Sequence, residues 1–296
     1  MMRGRMIRSK FVGSLLGLAV GDSLGARSEG QSVVEAVEET FSSYTDDTAM
    51  MIGVAESLIA CRGVQGEHMG RKFLEHYERE PWRGYGSGPP RIFALIRQGV
   101  RWDERLDRRF YPGGSFGNGA AMRVAPIGLF YYKDPIALRK AAYASSMLTH
   151  SHPLAMEGAA LQAYAVALAV REEKDFLNAL LNFTTDRLYR ERIESIKRLV
   201  PEKQNIRTIV KELGNGIEAF NSVPAAIYAF LVSSSFRESI LYSIRLGGDT
   251  DTIAAMCGAI AGAFWGAESI PPHWKEQLEQ RDYIENLAHQ LFEHLG

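Results

Sequence analysis

Cysteine is nearly absent from this 296-residue sequence, and the two that occur, Cys61 and Cys257, share no CxxC spacing. That scarcity argues against a disulfide-stapled scaffold, a zinc site or an iron–sulfur cluster, and it fits a reducing, cytoplasmic setting. Net charge is also nearly absent, since 34 Lys+Arg against 35 Asp+Glu leaves −1. Without a global field to hold a polyanion, duplex nucleic acid and an anionic membrane are not expected partners, and a small ligand is. Long hydrophobic runs are scarce too. The uncharged run 253–267 is about 15 residues, short of the roughly 20 that span a bilayer. No Ser/Pro-rich linker, charge block, low-complexity segment or repeat with a 20–50 residue period interrupts the chain, so one domain over 1–296 is expected despite a length about twice the ~150 prior. Apolar residues at 46% and charged ones at 23% match globular averages and exclude a disordered, collagenous or coiled-coil chain.

What is present is helical periodicity. Apolar residues recur at spacings of three and four in 48–62, 136–148, 154–170, 223–232 and 252–265, and no strand alternation of any length appears. The expected fold is all-α, a single orthogonal multi-helix domain. Segments 155–170 and 252–265 are apolar nearly all round, which places them inside a ring of more polar helices. Helix punctuation agrees: Gly63 after Arg62, Pro153 opening a helix, Pro224 just inside the start of another, and Gly247-Gly248 after Arg245. At the N-terminus, Arg3, Arg5, Arg8 and Lys10 precede the apolar stretch 11–21, in the order of a secretory signal. Gly13, Gly17 and Gly21, continued by Gly25, recur every four residues, however, and make a smooth helical face for close packing on a second helix. The packing reading is preferred.

Three glycine-rich loops break the helical pattern, at 83–88, 113–119 and 246–252. The most informative segment is Tyr44-Thr45-Asp46-Asp47-Thr48, ahead of an apolar helix, because it offers adjacent carboxylates and hydroxyls where one N-cap residue would suffice. Asp249-Thr250-Asp251-Thr252 repeats the arrangement ahead of another buried helix. Acidic residues favour helix N-termini, so each tetrad alone reads as a cap. Two tetrads brought together would repel, and divalent cations relieve that most simply; oxygen-only donors select Mg²⁺, Mn²⁺ or Ca²⁺. A shared metal site follows. Glu29 alone reads as a solvated loop glutamate. Thr149-His150-Ser151-His152-Pro153 suits phosphate contact at a helix start better than zinc. The loop 113–119 lies between Phe110 and Phe116, with backbone N–H groups suited to a pyrophosphate beside a stacked base; the aromatics read equally as core anchors.

Together, segments 17–25, 44–48, 117–123, 149–150 and 246–252 resemble the ADP-ribosylglycohydrolase family. Arg83-Gly84-Tyr85-Gly86 and the run 114–119 resemble its ADP-ribosylhydrolase 3 branch more than the dinitrogenase reductase activating enzymes. The resemblance runs from Gly13 to Gly266, and 171–235 carries no signature. It implies an all-α hydrolase with two Mg²⁺ ions, Mn²⁺ being an alternative, that cleaves the bond at the distal ribose C1″. By the same resemblance Thr45, Asp46 and Asp47 would bind one ion, Asp249 and Thr252 the other, and Asp251 would bridge them. Glu29 and Asp249 become the catalytic candidates. Gly84, Gly86, Gly114, Ser115, Phe116, Gly117, Asn118 and His150 would contact ADP-ribose, with Phe110 a second aromatic candidate. Two departures stand out: Phe116 where the vertebrate branch has tyrosine, and His152 where asparagine is expected before Pro153. The implied reaction releases ADP-ribose from an ADP-ribosylated protein or small conjugate, with serine-linked, O-acetyl or poly-ADP-ribose favoured and a monomeric enzyme expected. Competing readings are an ADP-ribosyl-arginine hydrolase, a non-catalytic ADP-ribose-binding module, and a metal-dependent phosphodiesterase cutting the pyrophosphate.

Overall fold

Helix boundaries follow the capping chemistry closely in the computed structural model, which describes residues 2–202 and 204–294. In chain order the α-helices are α1 (Met2–Gly25), α2 (Asp46–Cys61), α3 (Gly66–Arg79), α4 (Gly88–Arg97), α5 (Ala125–Phe130), α6 (Pro135–Ser146), α7 (Pro153–Arg171) and α8 (Phe176–Phe183). They continue with α9 (Arg187–Glu202), α10 (Ile206–Leu213), α11 (Ala219–Leu231), α12 (Phe236–Arg245), α13 (Thr250–Trp265), α14 (Pro272–Gln277) and α15 (Arg281–Glu293). Among the described residues there is no β-strand, and one isolated bridge pairs Gly117 with Glu218. The all-α expectation holds.

One apolar core runs through α1, α2, α7, α11 and α13. Its axis is the contact of α1 with α13. A Cβ built on Gly13 would lie 2.4 Å from the carbonyl oxygen of Gly262, on Gly17 2.3 Å from that of Gly258, on Gly21 2.0 Å from that of Ala254, and on Gly25 2.5 Å from that of Thr250. In the other direction, a Cβ on Gly258 would lie 2.0 Å from the carbonyl oxygen of Gly17 and on Gly262 1.9 Å from that of Gly13. The two helices therefore touch backbone to backbone, and the N-terminal apolar stretch is a core helix face.

Two details of punctuation differ from expectation. The C-cap of α2 is Arg62, which itself takes the left-handed conformation (φ 54°), whereas Gly63 is extended. Pro224 lies well inside α11, which begins five residues earlier at Ala219. The missing proline N–H leaves the Phe220 carbonyl without its usual intrahelical donor, the penalty of a proline in a helix interior. The all-round apolar segment 155–170 is α7, which at 19 residues and mean hydropathy 1.3 is long and apolar enough to cross a bilayer. Within the protein, 83% of that window is buried.

At its C-terminal end α1 organises the start of α2. The buried Asp22 carboxylate accepts from the Thr45 N–H (3.0 Å), the Thr48 N–H (3.1 Å) and the Thr48 hydroxyl (2.6 Å), so it caps α2 from a neighbouring helix. The chain leaving α1 is hooked onto the turn before α13 by Gly30 N–H to Gly248 O (2.8 Å) and Gly248 N–H to Gln31 O (2.7 Å). Gly247 and Gly248 both sit at φ 72°, where a side chain would be strained.

The α1–α13 contact yields the first prediction. Gly21→Ala should destabilise the protein by about 1–3 kcal/mol, even though alanine is intrinsically about 1 kcal/mol better than glycine inside a helix. Gly4→Ala, on the same helix with nothing within 4 Å of the added methyl, should be neutral or mildly stabilising. Denaturant unfolding of both variants checks this, and equal stabilities would show that the stripe is not a packing contact.

Candidate functional site

The N-termini of α2 and α13 open into one cavity of about 240 Å³. Glu29, Asp46, Asp47, Asp249, Asp251 and Thr252 line one part of it. The remaining wall comes from Gly84, Gly86, Ser87 and Gly88, from Tyr111, from Ser115, Gly117, Asn118 and Gly119, and from Thr149, His150 and Ile217. The two acidic tetrads, some 200 positions apart, thus share a site: the Thr252 hydroxyl donates to the Asp47 carboxylate across 3.4 Å.

Donor chemistry fits a hard cation. One carboxylate oxygen from each of Glu29, Asp249 and Asp251 lies within 4.8 Å of the others, and Asp47 Oδ1 is buried without a hydrogen-bond partner among the described residues. Glu29 therefore stands inside the acidic cluster itself, and carboxylate, threonine and carbonyl oxygens are the donors Mg²⁺, Mn²⁺ or Ca²⁺ accept. Thr45 is not on the cavity wall, but its hydroxyl stays beside the Asp47 carboxylate, donating to it (3.4 Å) while capping α2 by accepting from the Asp47 N–H (3.3 Å).

Electrostatics report the same crowding. Burial, with Asp22 and Asp251 nearby, pushes the Asp46 and Asp47 carboxyls well above the ordinary range. Burial also raises Asp249, and burial together with Asp249 lifts Asp251 to about 7. Glu29 is raised chiefly by the charge of Asp251. Asp22, behind the wall, is lifted to about 7 by burial. A bound divalent cation would reverse each of these shifts by favouring the charged carboxylates.

The opposite part of the cavity departs from the sequence reading in three ways. Four of the seven amides in 113–119 are already engaged: Gly114 to Tyr111 O, Ser115 to the Asp107 carboxylate (2.8 Å), Gly117 to Ser115 Oγ and Asn118 to Ile217 O. The loop is therefore not an open cradle of N–H groups. Gly114 is buried against the 151–152 backbone rather than facing the cavity, because a Cβ there would lie 2.6 Å from the His152 nitrogen. Phe110 turns away, with the Arg91 guanidinium 4.1 Å over its ring, and Tyr111 takes the wall, its hydroxyl 3.2 Å from Ser87 Oγ. Phe116 lies between the wall residues Ser115 and Gly117 but is not itself on the wall; it is 47% exposed, with its ring centroid 6.1 Å from that of Phe220 and 5.7 Å from that of His152. That exposure excludes a core anchor.

His150 keeps a place on the wall as a neutral ring. Burial, with the cation of Arg123 beside it, lowers it to about 3, and its Nδ1 is 2.8 Å from the Thr149 hydroxyl. No lysine or arginine is among the lining residues, so the protein itself offers an anionic ligand neutral hydrogen-bond donors rather than charge. Asn118 links the halves by donating to the Asp249 carboxylate at 2.5 Å.

Sequence reading missed the supports behind these residues. Asp22 sits within the motif 17–25 but was given no role. Asp107 is buried and accepts from Ser115 N–H and Ser151 N–H (2.7 Å), fastening the glycine loop to the His150 loop. Arg123 is fully buried under Met50 and Phe73.

Comparison with known proteins gives a consistent picture. The family model for ADP-ribosylglycohydrolase matches residues 4–296. The chain is 36% identical to the ADP-ribosylhydrolase ARH3 of Gallus gallus, covering 98% of this chain and 95% of that one. It is 35% identical to the ARH3 of Homo sapiens, covering 96% and 94%. A solved structure described as an ADP-ribosylglycohydrolase-related protein complex matches with a TM-score of 0.81 at 26% identity, over 99% of this chain and 100% of that one. The resemblance read from the motifs is borne out.

The crowded carboxylates make a signed prediction. A carboxyl whose pKa is raised by folding stabilises the folded state at low pH and loses that contribution as pH rises through the folded value. For Asp251 the window runs from the ordinary 3.8 to about 7. In EDTA, Asp251→Asn should melt above the wild type at pH 8, with the gap closing toward pH 4. A gap independent of pH would mean that Asp251 carries no excess charge burden.

Proposed function

Because the chain belongs to the ADP-ribosylglycohydrolase family and is thereby a hydrolase of glycosyl bonds, we propose that it cleaves the distal ribose C1″ bond of ADP-ribosylated proteins or small ADP-ribose conjugates and releases ADP-ribose. Serine-linked, O-acetyl and poly-ADP-ribose are the favoured substrates, a preference that follows the motif resemblance of 83–86 and 114–119. The observation that carries the reading is the meeting of Glu29, Asp249 and Asp251 within 4.8 Å at one end of a cavity whose other end is uncharged.

Asp46, Asp47, Asp249 and Asp251, with Thr45 and Thr252, would hold two Mg²⁺ ions. When bound, such ions orient the ribose hydroxyls and make a coordinated water more acidic. The chain's own groups do the rest. Breaking the C1″–O bond develops positive charge at C1″ and O4″, which the Glu29 carboxylate stabilises from the cavity edge. The oxygen of a water bonds to C1″ and its proton passes to a carboxylate; the leaving oxygen takes up a proton in turn. Glu29 and Asp249 are the two groups suited to these transfers, and Asn118 fixes the orientation of Asp249 through its 2.5 Å hydrogen bond. The Ser115 hydroxyl and the neutral His150 ring would donate to the diphosphate, on a wall that Gly117 and Asn118 shape with their own donors already engaged, and Phe116 beside that wall would stack the adenine.

Incubation with serine-linked, arginine-linked and O-acetyl ADP-ribose, in Mg²⁺ or EDTA, tests the activity and the linkage together. Free ADP-ribose should appear in Mg²⁺ only; release of AMP would transfer the enzyme to pyrophosphate cleavage. Asp251→Ala should lose both turnover and the Mg²⁺-dependent rise in melting temperature. Glu29→Gln should lower kcat by about 10²- to 10⁴-fold, the range of a general acid–base group, and keep the rise. Wild-type turnover by Glu29→Gln would remove it from the chemistry.

Stacking on Phe116 is tested separately. A base on an aromatic ring contributes about 1–3 kcal/mol by alanine substitution in nucleic-acid sites, so Phe116→Ala should weaken ADP-ribose binding by about ten- to hundredfold. Phe116→Tyr should be close to neutral because the ring is kept. Calorimetric titration checks both variants, and unchanged affinity in Phe116→Ala would remove the ring from the site.

A further inference from the structure

Arg83 is 5% exposed and uses every N–H of its guanidinium. Nε and Nη2 donate to Glu80 (3.1 and 2.8 Å), Nη1 and Nη2 donate to Glu279 (2.8 and 2.7 Å), and Nη1 also donates to the Tyr44 carbonyl (2.9 Å). The guanidinium carbon lies 3.8 Å from the centroid of the Tyr44 ring. On its other side, the Arg83 carbonyl accepts from the Asp46 N–H (2.7 Å). As the first residue of α2, Asp46 has no intrahelical acceptor for that N–H. Gly84, the next residue, lines the cavity, and a Cβ on it would be 3.9 Å from Asp46 Oδ1.

We infer that Arg83 is a positioning residue, holding the turn that carries Asp46 and the glycine rim 84–88 in one fixed relation, with Glu279 of the α14–α15 connection as its far anchor. The inference rests on the metal-site reading above. A buried ion pair is weak evidence of stability in its own right, and a pair recruited only for stability needs neither the Tyr44 carbonyl nor the contact to Asp46. Lysine keeps the charge but cannot reproduce a fork that binds two carboxylates and a carbonyl at once. Displacing this anchor should therefore loosen a cation ligand and a substrate-binding wall together, through backbone bonds on either side of Thr45.

The test compares wild type, Arg83→Lys, Glu279→Gln and, as a control that removes an exposed pair on α9, Arg187→Gln. Two quantities are read: the Mg²⁺ concentration that half-completes the rise in melting temperature, and ADP-ribose affinity by calorimetry at saturating Mg²⁺. The expected result is about a tenfold loss in both for Arg83→Lys, about threefold for Glu279→Gln, and no change for Arg187→Gln. Glu279 is partly exposed in a loop, so its variant reports even if Arg83→Lys does not fold. Variants that melt lower while keeping the wild-type Mg²⁺ midpoint and ADP-ribose affinity would overturn the inference and leave Arg83 a structural ion pair. A wild type without any Mg²⁺ response would overturn the metal-site reading and this role with it.

Discussion

Backbone contact between α1 and α13 is the constraint from which the site follows. Four glycines on one helix and two on the other allow an approach that any side chain would block, and the approach sets the register of both helices along their length. At one end of that register Gly25 lies against Thr250 and Asp251, so the start of α13 is delivered to the exit of α1. Asp22, one turn earlier on α1, caps α2. A single helix end therefore gathers both acidic tetrads, and the hook between Gly30 and Gly248 brings Glu29 to them.

Gathering acids in this way is electrostatically unfavourable, and the surroundings do little to offset it. The buried Arg123 feels the charge of Asp46, while Arg83 is consumed by Glu80 and Glu279. The wall of the cavity contributes neutral groups. A scaffold that accumulates uncompensated carboxylates while exposing no positive side chain to the ligand is organised around charge brought from outside. Under the proposed function, recognition of an anionic diphosphate would then depend on the same ions that the acidic end would hold.

Much of this was legible in the sequence where a local signal had a repeat. One Asp-Thr pair before a helix is a cap; two such tetrads before two buried helices are more than caps. The four-residue glycine period likewise announced a contact before its partner was known. Signals without a repeat were silent. Asp22 is one carboxylate inside an apolar helix and Asp107 one in a short 3₁₀ turn, and only their tertiary neighbours reveal that each collects amide donors. Phe110 and Phe116 were equivalent as letters, yet Arg91 draws one ring away while the other is left exposed beside the wall. The glycine loop was read as offering its amides to a ligand because sequence cannot show that Tyr111, Asp107 and Ile217 already accept them. Pro224 looked like a helix start because a tolerated interior proline and an opening one are the same residue.

The α1–α13 contact also sets an order in time. Ser14 and Ala259 are joined across 245 positions and Gly25 and Thr250 across 225, so the partner of α1 is among the last helices to be made. At synthesis rates of about 5–20 residues per second, the apolar face of α1 waits roughly 10–50 s before α13 exists to cover it. Until then neither the glycine seam nor the acidic pocket can form, because both need α1 and α13 together. The α1–α13 seam is thus a very long-range closure, of the kind whose loop-closure entropy must be met before its contacts repay it.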